Sequence, residues 1–270
     1  MTDKKLGRKY AVVDLEATSA STAAQIIQVG IVIIEDGRIT QSYEMDVNPH
    51  ERLDEHIKQL TGLTDARLRK APEFAQVAKE IFELIEDAVF VAHNVKFDAN
   101  LLAEALFWEG FELTTPRIDT VELSQIFYPT LERYNLGALA AELEIELHHA
   151  HSALADAMAT AQLLLKLREK IASLPRGLIE KLLSMADCLI YESRLLIEVA
   201  LEDISLFLPA HLVEVHGLYL RKPQQFLESR HLSEQFELNM QLLGMEAYPE
   251  QREFVAYIED SLQQPLPSFI

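Results

Sequence analysis

The apolar positions of the first fifty residues fall in short runs of strand type. Tyr10-Ala11-Val12-Val13 leads into Asp14, and residues 26–34 are rich in β-branched side chains. Both stretches predict strands, the first of them buried. Between Ile34 and Arg38 stands Glu35-Asp36-Gly37. Asp-Gly between two strand-like runs predicts a hairpin, with residues 38–47 returning antiparallel. After Pro49 the spacing turns helical, with Leu53, Ile57 and Leu60, then Phe74, Val77, Ala78, Ile81, Phe82 and Ile85 on one face. Val89-Phe90-Val91-Ala92 predicts a short buried strand, and Asn94 is placed to cap a following helix through Leu101, Leu102 and Leu106. Ile118-Asp119-Thr120 predicts one more strand. Helices are expected near 121–127 and 136–143, and a long amphipathic one from about Ser152 to Ile171. The sum is an α/β fold: a mixed sheet of five strands, three antiparallel first and two reached by helical crossovers, with helices on both faces.

Ser173-Leu174-Pro175-Arg176-Gly177 joins the end of that helix to a proline and a glycine, the best linker candidate in the chain. It predicts a domain over residues 1–174 and a smaller helical segment over 175–270. In the latter only helix-like patterns are read, at 178–208, 223–243 and 248–262.

Composition sets bounds on this picture. With 270 residues, 49% of them hydrophobic, the chain can bury a sizeable core. The lone Cys188 cannot form an intramolecular disulfide, the opening MTDKKLGRKY lacks the apolar core of a signal peptide, and no apolar run reaches the ~18 residues of a membrane span. A cytoplasmic protein without a membrane partner is expected. The formal net charge of −19 argues against a strong nucleic-acid affinity. Bound divalent cations would offset part of it, so a modest affinity is the better expectation.

Four acids and a histidine stand in places where a globular chain does not normally put charge. Asp14 and Glu16 lie two apart at the end of a buried strand, so they point to one face. Asp98 follows the fourth strand, in the segment His93-Asn94-Val95-Lys96-Phe97-Asp98, and Asp156 lies in the long helix with His151 five residues before it. Each element alone has an everyday explanation as solvated edge, helix cap or surface decoration. Together they offer four hard oxygen donors, which suit Mg²⁺ or Mn²⁺, and two such ions ~3.5–4 Å apart clamp the attacking and leaving oxygens of a phosphodiester. His151 is placed to take a proton from an attacking water. His148 and His149 could join His151 in a zinc cluster, but no cysteine lies nearby to complete one, and a polar loop is the simpler reading.

The blocks Asp14-Leu15-Glu16-Ala17-Thr18, Ile26-Ile27-Gln28-Val29-Gly30, Thr61-Gly62-Leu63-Thr64, Val91-Ala92-His93-Asn94-Val95-Lys96-Phe97-Asp98 and His151-Ser152-Ala153-Leu154-Ala155-Asp156-Ala157 occur in order. Over its first 170 residues or so the chain thereby resembles the DEDD exonucleases of the histidine subclass, which include the proofreading subunit of bacterial DNA polymerase III. The resemblance implies an RNase H-like fold, two Mg²⁺ or Mn²⁺ ions, and 3′-to-5′ release of nucleotides from single-stranded DNA ends. It makes Asp14, Glu16, Asp98 and Asp156 the metal ligands and His151 the general base. Leu15 and Thr18 would touch the terminal nucleotide, and Asn94 and Phe97 would shape the site. Ala17 and Ser19 depart from the family's frequent Thr and Gly, which bears on the contacts to the terminal base and not on the ligands.

Tyr248-Pro249-Glu250-Gln251, with Phe254 and Ile258, resembles the segment before the first nucleotide-binding strand of DinG-type helicases. No phosphate-binding Gly-x-x-x-x-Gly-Lys-Thr loop follows within these residues. The expectation is a helicase cut short before that loop, without ATP hydrolysis, whose partner is the remainder of a helicase chain. Two alternatives keep the sequence features and change the function: a catalytically unproductive nucleic-acid-binding or docking module, and an exoribonuclease with RNA as the substrate.

Overall fold

Five segments pair into one mixed sheet: β1 (Lys9–Ala17), β2 (Ile26–Glu35), β3 (Arg38–Asp46), β4 (Val89–Ala92) and β5 (Arg117–Asp119), in the order β3-β2-β1-β4-β5. β1, β2 and β3 are antiparallel, and β4 and β5 add in parallel beyond β1. The expected meander and its two crossovers are therefore present. The β2–β3 turn holds Asp36 and Gly37 at φ 48° and 79°, the paired positive angles that a tight hairpin needs and that Asp-Gly adopts at low cost. The computed structural model describes residues 8–19, 21, 24–147, 151–203, 212–215, 218–221, 231–242, 244 and 246–263.

The period-2 alternation of β1 and β2 sorts their side chains into two cores. Tyr10, Val12, Val32 and Ile34 face one layer, with Val91 and Ile118 from the parallel strands; Ala11, Val13, Leu15, Ile31 and Ile33 face the other. The first layer is built on α7 (Ala153–Ala172), which buries Ala157, Thr160, Ala161, Leu164, Leu167 and Ile171. It is joined by α5 (Thr120–Phe127) and α6 (Leu136–Glu142). The second layer contains α3 (Phe74–Ile85) and α4 (Val95–Trp108). Two short helices, α1 (Glu55–Thr61) and α2 (Asp65–Leu68), lie near a small cluster of Ile27, Leu53, Leu63 and Leu68.

The chain divides into two compact units, Met1–Pro209 and Ala210–Ile270. In the first, the turn at Ser173-Leu174-Pro175 leads directly into α8 (Arg176–Met185), a 3₁₀ turn (Ala186–Cys188) and α9 (Arg194–Asp203). Ile179, Ala186, Leu196, Ile197 and Ala200 are buried in the α7 layer.

The second unit contains a hairpin of β6 (Leu212–Val215) and β7 (Leu218–Arg221), then α10 (Leu232–Leu242) and α11 (Pro249–Gln263). The hairpin departs from the helix-only pattern expected after residue 175. Its strands have four residues each, too few to fix an alternating period against a helical one. In α11, Pro249 occupies the first helical position and Gln251 Oε1 accepts the N–H of Tyr248 at 3.0 Å. Gln251 thus serves as the returning arm of a helix cap. Among the described residues no helix is long and apolar enough to cross a membrane.

Candidate active site

β1 runs on past its parallel partner. β4 pairs with it only at Tyr10, Ala11 and Val12, so the N–H of Leu15 needs an acceptor from elsewhere. Asp98, in the first turn of α4, supplies it: Oδ1 accepts the Leu15 N–H at 3.0 Å in a buried bond. Asp14 and Glu16 extend the Tyr10–Val12 row, on the face that α7 covers. A register shift between Glu16 and Ala17 ends the regular pairing with β2 just beyond them, a common device where a strand must aim side chains into a site.

Asp156 stands in the first turn of α7. His151 sits in the turn before it with φ 70°, and its backbone N–H donates to Asp156 Oδ2 at 3.0 Å. One carboxylate oxygen each of Glu16 and Asp156 and a ring nitrogen of His151 lie within 4.8 Å of one another. Asp14 and Asp98 fall outside that threesome and adjoin it electrostatically: besides burial, the charges of Asp156 and Glu16 push the Asp14 carboxyl up, and that of Asp98 pushes Glu16 up. His148 and His149 lie outside the described residues.

The helix carrying Asp156 is seated by two residues of β2. Gly30 pairs with Asp14, and a Cβ at Gly30 would come within 2.2 Å of the backbone of Ala153. Only glycine lets α7 approach so closely. Gln28, 3% exposed, accepts the Ala153 N–H at 3.0 Å through Oε1 and donates to Asp46 Oδ1 at 2.9 Å through Nε2. Asp46 is in turn held by the Nε–Nη2 edge of the Arg67 guanidinium, with Nη2 to Oδ1 at 2.8 Å. Ser152, at the N-cap position, makes no capping bond; its Oγ donates to Glu44 Oε1 at 3.3 Å.

The helix carrying Asp98 is seated by Asp119. This buried carboxylate accepts the Val95 N–H at 3.0 Å and the Val121 N–H at 2.8 Å, so it serves the starts of α4 and α5 together. Asn94 holds the N-cap position of α4 in the left-handed region, φ 73°, and its side chain forms no capping bond because Asp119 has taken that role. It stays exposed, with partly buried Phe97 and exposed Lys96 and Asn100 near it in one groove. Leu15 is 5% exposed within the apolar layer and Thr18 is 9% exposed. Thr18 closes the β1–β2 connection, its Oγ1 accepting the Gln25 N–H at 3.1 Å.

His93 does not belong to the acid cluster. Its Nε2–H donates to the Tyr134 carbonyl at 2.8 Å and its Nδ1 faces the Thr120 hydroxyl at 2.9 Å. Burial pushes its pKa down, so the ring is a neutral strut.

Electrostatics single out the four acids. Burial, then the charges of Asp98, Asp156 and Glu16, hold the Asp14 carboxyl well above the usual range. Burial, with Asp156 and Asp98, pushes Glu16 up to about 7. Burial also takes Asp98 to about 7, against the opposing pull of the Leu15 N–H. Asp156 is raised by burial and eased back by the N–H and charge of His151. Among the described residues none of the four is ion-paired to lysine or arginine. Mutual repulsion among all-oxygen donors without a protein cation is relieved by hard divalent metal, so the residues fit such a group.

Pattern reading passed over Asp119 and the relay Gln28–Asp46–Arg67. Both had a signal: a glutamine inside the apolar run of β2, and an aspartate at the end of a short buried strand.

Comparison with known proteins gives the same picture. An exonuclease family model, of the RNase T type, matches residues 11–164. The 3′-5′ exonuclease DinG of Bacillus subtilis is 36% identical over 178 residues, 65% of this chain and 19% of that protein. Its namesake in Staphylococcus epidermidis is 38% identical over 167 residues, 61% of this chain and 18% of that protein. The chain thus spans about a fifth of the length of these curated relatives. Among solved structures, E. coli Exonuclease I in complex with a dT13 oligonucleotide superposes with a TM-score of 0.55 at 16% identity, covering 66% of this chain and 44% of the other. The nuclease domain of 3′hExo, a DEDDh family member bound to rAMP, does so with a TM-score of 0.53 at 16% identity, covering 60% and 92%. The sheet order, the helices on both faces and these superpositions make the fold RNase H-like. From the match over residues 11–164, the chain belongs to the RNase T-type exonuclease family.

Proposed function

We propose that the chain is a metal-dependent 3′-to-5′ exonuclease that releases nucleotides from single-stranded DNA ends, and that it forms the N-terminal part of a DinG-type protein. The observation that carries this is the convergence of Glu16, His151 and Asp156 within 4.8 Å beside the raised carboxyls of Asp14 and Asp98. The names of the relatives and the oligonucleotide held by Exonuclease I point the same way.

In this reading Asp14, Glu16, Asp98 and Asp156 hold two Mg²⁺ or Mn²⁺ ions. When bound, the metals supply charge stabilisation for the attacking and leaving oxygens of the phosphodiester. The chain's own residues do the rest. His151, exposed at the mouth of the cluster, takes the proton of the attacking water. Leu15 and Thr18 at the end of β1, with Asn94 and Phe97 at the start of α4, bound the place of the terminal nucleotide. Gln28 and Asp119 fix the helices that bring Asp156 and Asp98 to β1.

The nuclease chemistry resides in residues 1–174, and residues 175–270 connect it to the remainder of a helicase chain. A free, exposed Cys188 suits a reducing, cytoplasmic setting. The test is release of nucleotides from matched DNA and RNA strands labelled at either end, with Mg²⁺ and with EDTA. DNA cleavage from the 3′ end, lost in EDTA and in Asp14→Ala and Asp156→Ala, is expected. Cleavage of RNA alone would change the substrate, and metal-dependent binding without cleavage would reduce the chain to a docking module.

A further inference from the structure

We propose that one face of α4 is a stacking track that receives the bases upstream of the terminal nucleotide, with Trp108 as its far platform; this rests on the nuclease reading above. Phe97, Leu101, Glu104 and Trp108 recur at helical spacing and so lie along one face of α4. Two grooves follow that face. One, of 280 Å³, contains Asn94, Phe97 and Asn100; the next, of 330 Å³, contains Gln25, Asn48, Phe74 and Trp108; Leu101 and Glu104 belong to both. The surface is therefore continuous from the residue beside Asp98 to the last residue of the helix.

Its chemistry fits bases. Trp108 is 76% exposed at the end of a helix whose Leu102 and Leu106 are fully buried, and the neighbouring Phe107, 65% exposed, meets its ring edge-on. An indole presented in this way, leading out of a nuclease site, offers a face on which any base stacks. The amides of Gln25, Asn48 and Asn100 along it are offered to base edges, Lys96 at the end beside Asp98 attracts phosphate, and Glu104 and Glu109 farther along repel it. The strand accordingly lies with its bases inward and its backbone toward solvent. At ~1.5 Å per helical residue Trp108 stands about 16 Å beyond Phe97, a span of about four or five nucleotides at the ~3.4 Å stacked spacing.

Trp108 is the one tryptophan of the chain, so its fluorescence reports the track directly. With Ca²⁺ replacing Mg²⁺ to hold off cleavage, oligonucleotides long enough to reach it are expected to quench the emission, and a mononucleotide is not. On long single strands Trp108→Ala is expected to raise KM by about 5- to 150-fold, the range of one base–aromatic stack, with kcat kept. Trp108→Phe should recover most of the loss. A p-nitrophenyl ester of a nucleoside monophosphate is too short to reach Trp108, so Trp108→Ala should cleave it as the unsubstituted chain does. Quenching independent of length, or an unchanged KM in Trp108→Ala, overturns the track; a groove that receives a protein segment instead gives both results. Failure of the unsubstituted chain to cleave the ester or any strand would count against the nuclease reading, and the fluorescence titration still decides the track.

Discussion

Asp98 accepts the backbone N–H of Leu15 at 3.0 Å. The same side chain that is offered to metal therefore completes the hydrogen bonding of the strand that carries Asp14 and Glu16, and ligand and scaffold are one group.

Substitutions at this position should separate the two roles. Asp98→Asn keeps a carbonyl oxygen for Leu15 and, near pH 5 where Asp98 itself is protonated, should leave the thermal midpoint near that of the parent, while cutting nuclease activity by more than the ~100-fold typical of outer partners of a metal site. Asp98→Ala loses activity as well and leaves a buried N–H without an acceptor, a cost of about 1–3 kcal/mol. Equal midpoints for the two variants, measured by thermal unfolding, would show that the Leu15 bond contributes nothing.

His151→Ala removes the proposed base and leaves all four acids. Activity should fall by about 10²–10⁴-fold, while the metal-induced rise in the thermal midpoint is largely kept, because the oxygen donors remain. Loss of the metal response along with activity would make the imidazole a ligand.

The raised carboxyls give metal binding a definite pH signature. Glu16 moves from 4.5 to about 7 and Asp98 from 3.8 to about 7. A carboxyl pKa raised by folding means that the folded state holds protons the unfolded chain has released, so stability from these groups is whole below the unfolded values and is lost as pH rises through about 7. The metal-free protein should weaken across that window. Mg²⁺ should raise the midpoint little near pH 5 and most above about pH 7, where Glu16 and Asp98 are charged. Asp14→Asn should raise the metal-free midpoint at alkaline pH and blunt the metal response. Calorimetry at both pH values checks this, and a larger metal effect in acid would contradict it.

Gly30→Ala places a methyl 2.2 Å from the backbone of Ala153. The start of α7 must shift, at a cost of about 1–3 kcal/mol or more, and Asp156 shifts with it. A fall in the midpoint of several degrees with loss of activity is expected. An unchanged enzyme would mean that α7 can retreat without disturbing its carboxylate.

Much of this arrangement was legible in the sequence because it rests on local patterns. A short apolar run marked β1 and β-branching marked β2, Asp-Gly marked the hairpin to β3, and Asp14 and Glu16 stood out as charges ending an apolar strand. What escaped notice was long-range. Asp119 caps α4 from 24 residues away and Gln28 reaches Ala153 across 125; no spacing rule connects such positions. Asn94 looked like a cap by residue type, yet its left-handed backbone and the competing Asp119 leave its side chain free to face the groove. The short strands β6 and β7 carried too few residues to declare a period.

The packing of α8 and α9 bears on how the nuclease unit can be isolated. Ile179, Leu196 and Ile197 shield the apolar layer around α7 from water. A fragment ending near Leu174 would lay that layer bare as a contiguous sticky patch and tend to aggregate. A cut placed beyond α9 keeps the shield in place, and proteolytic trimming of the intact chain should leave a resistant product that still includes Asp203.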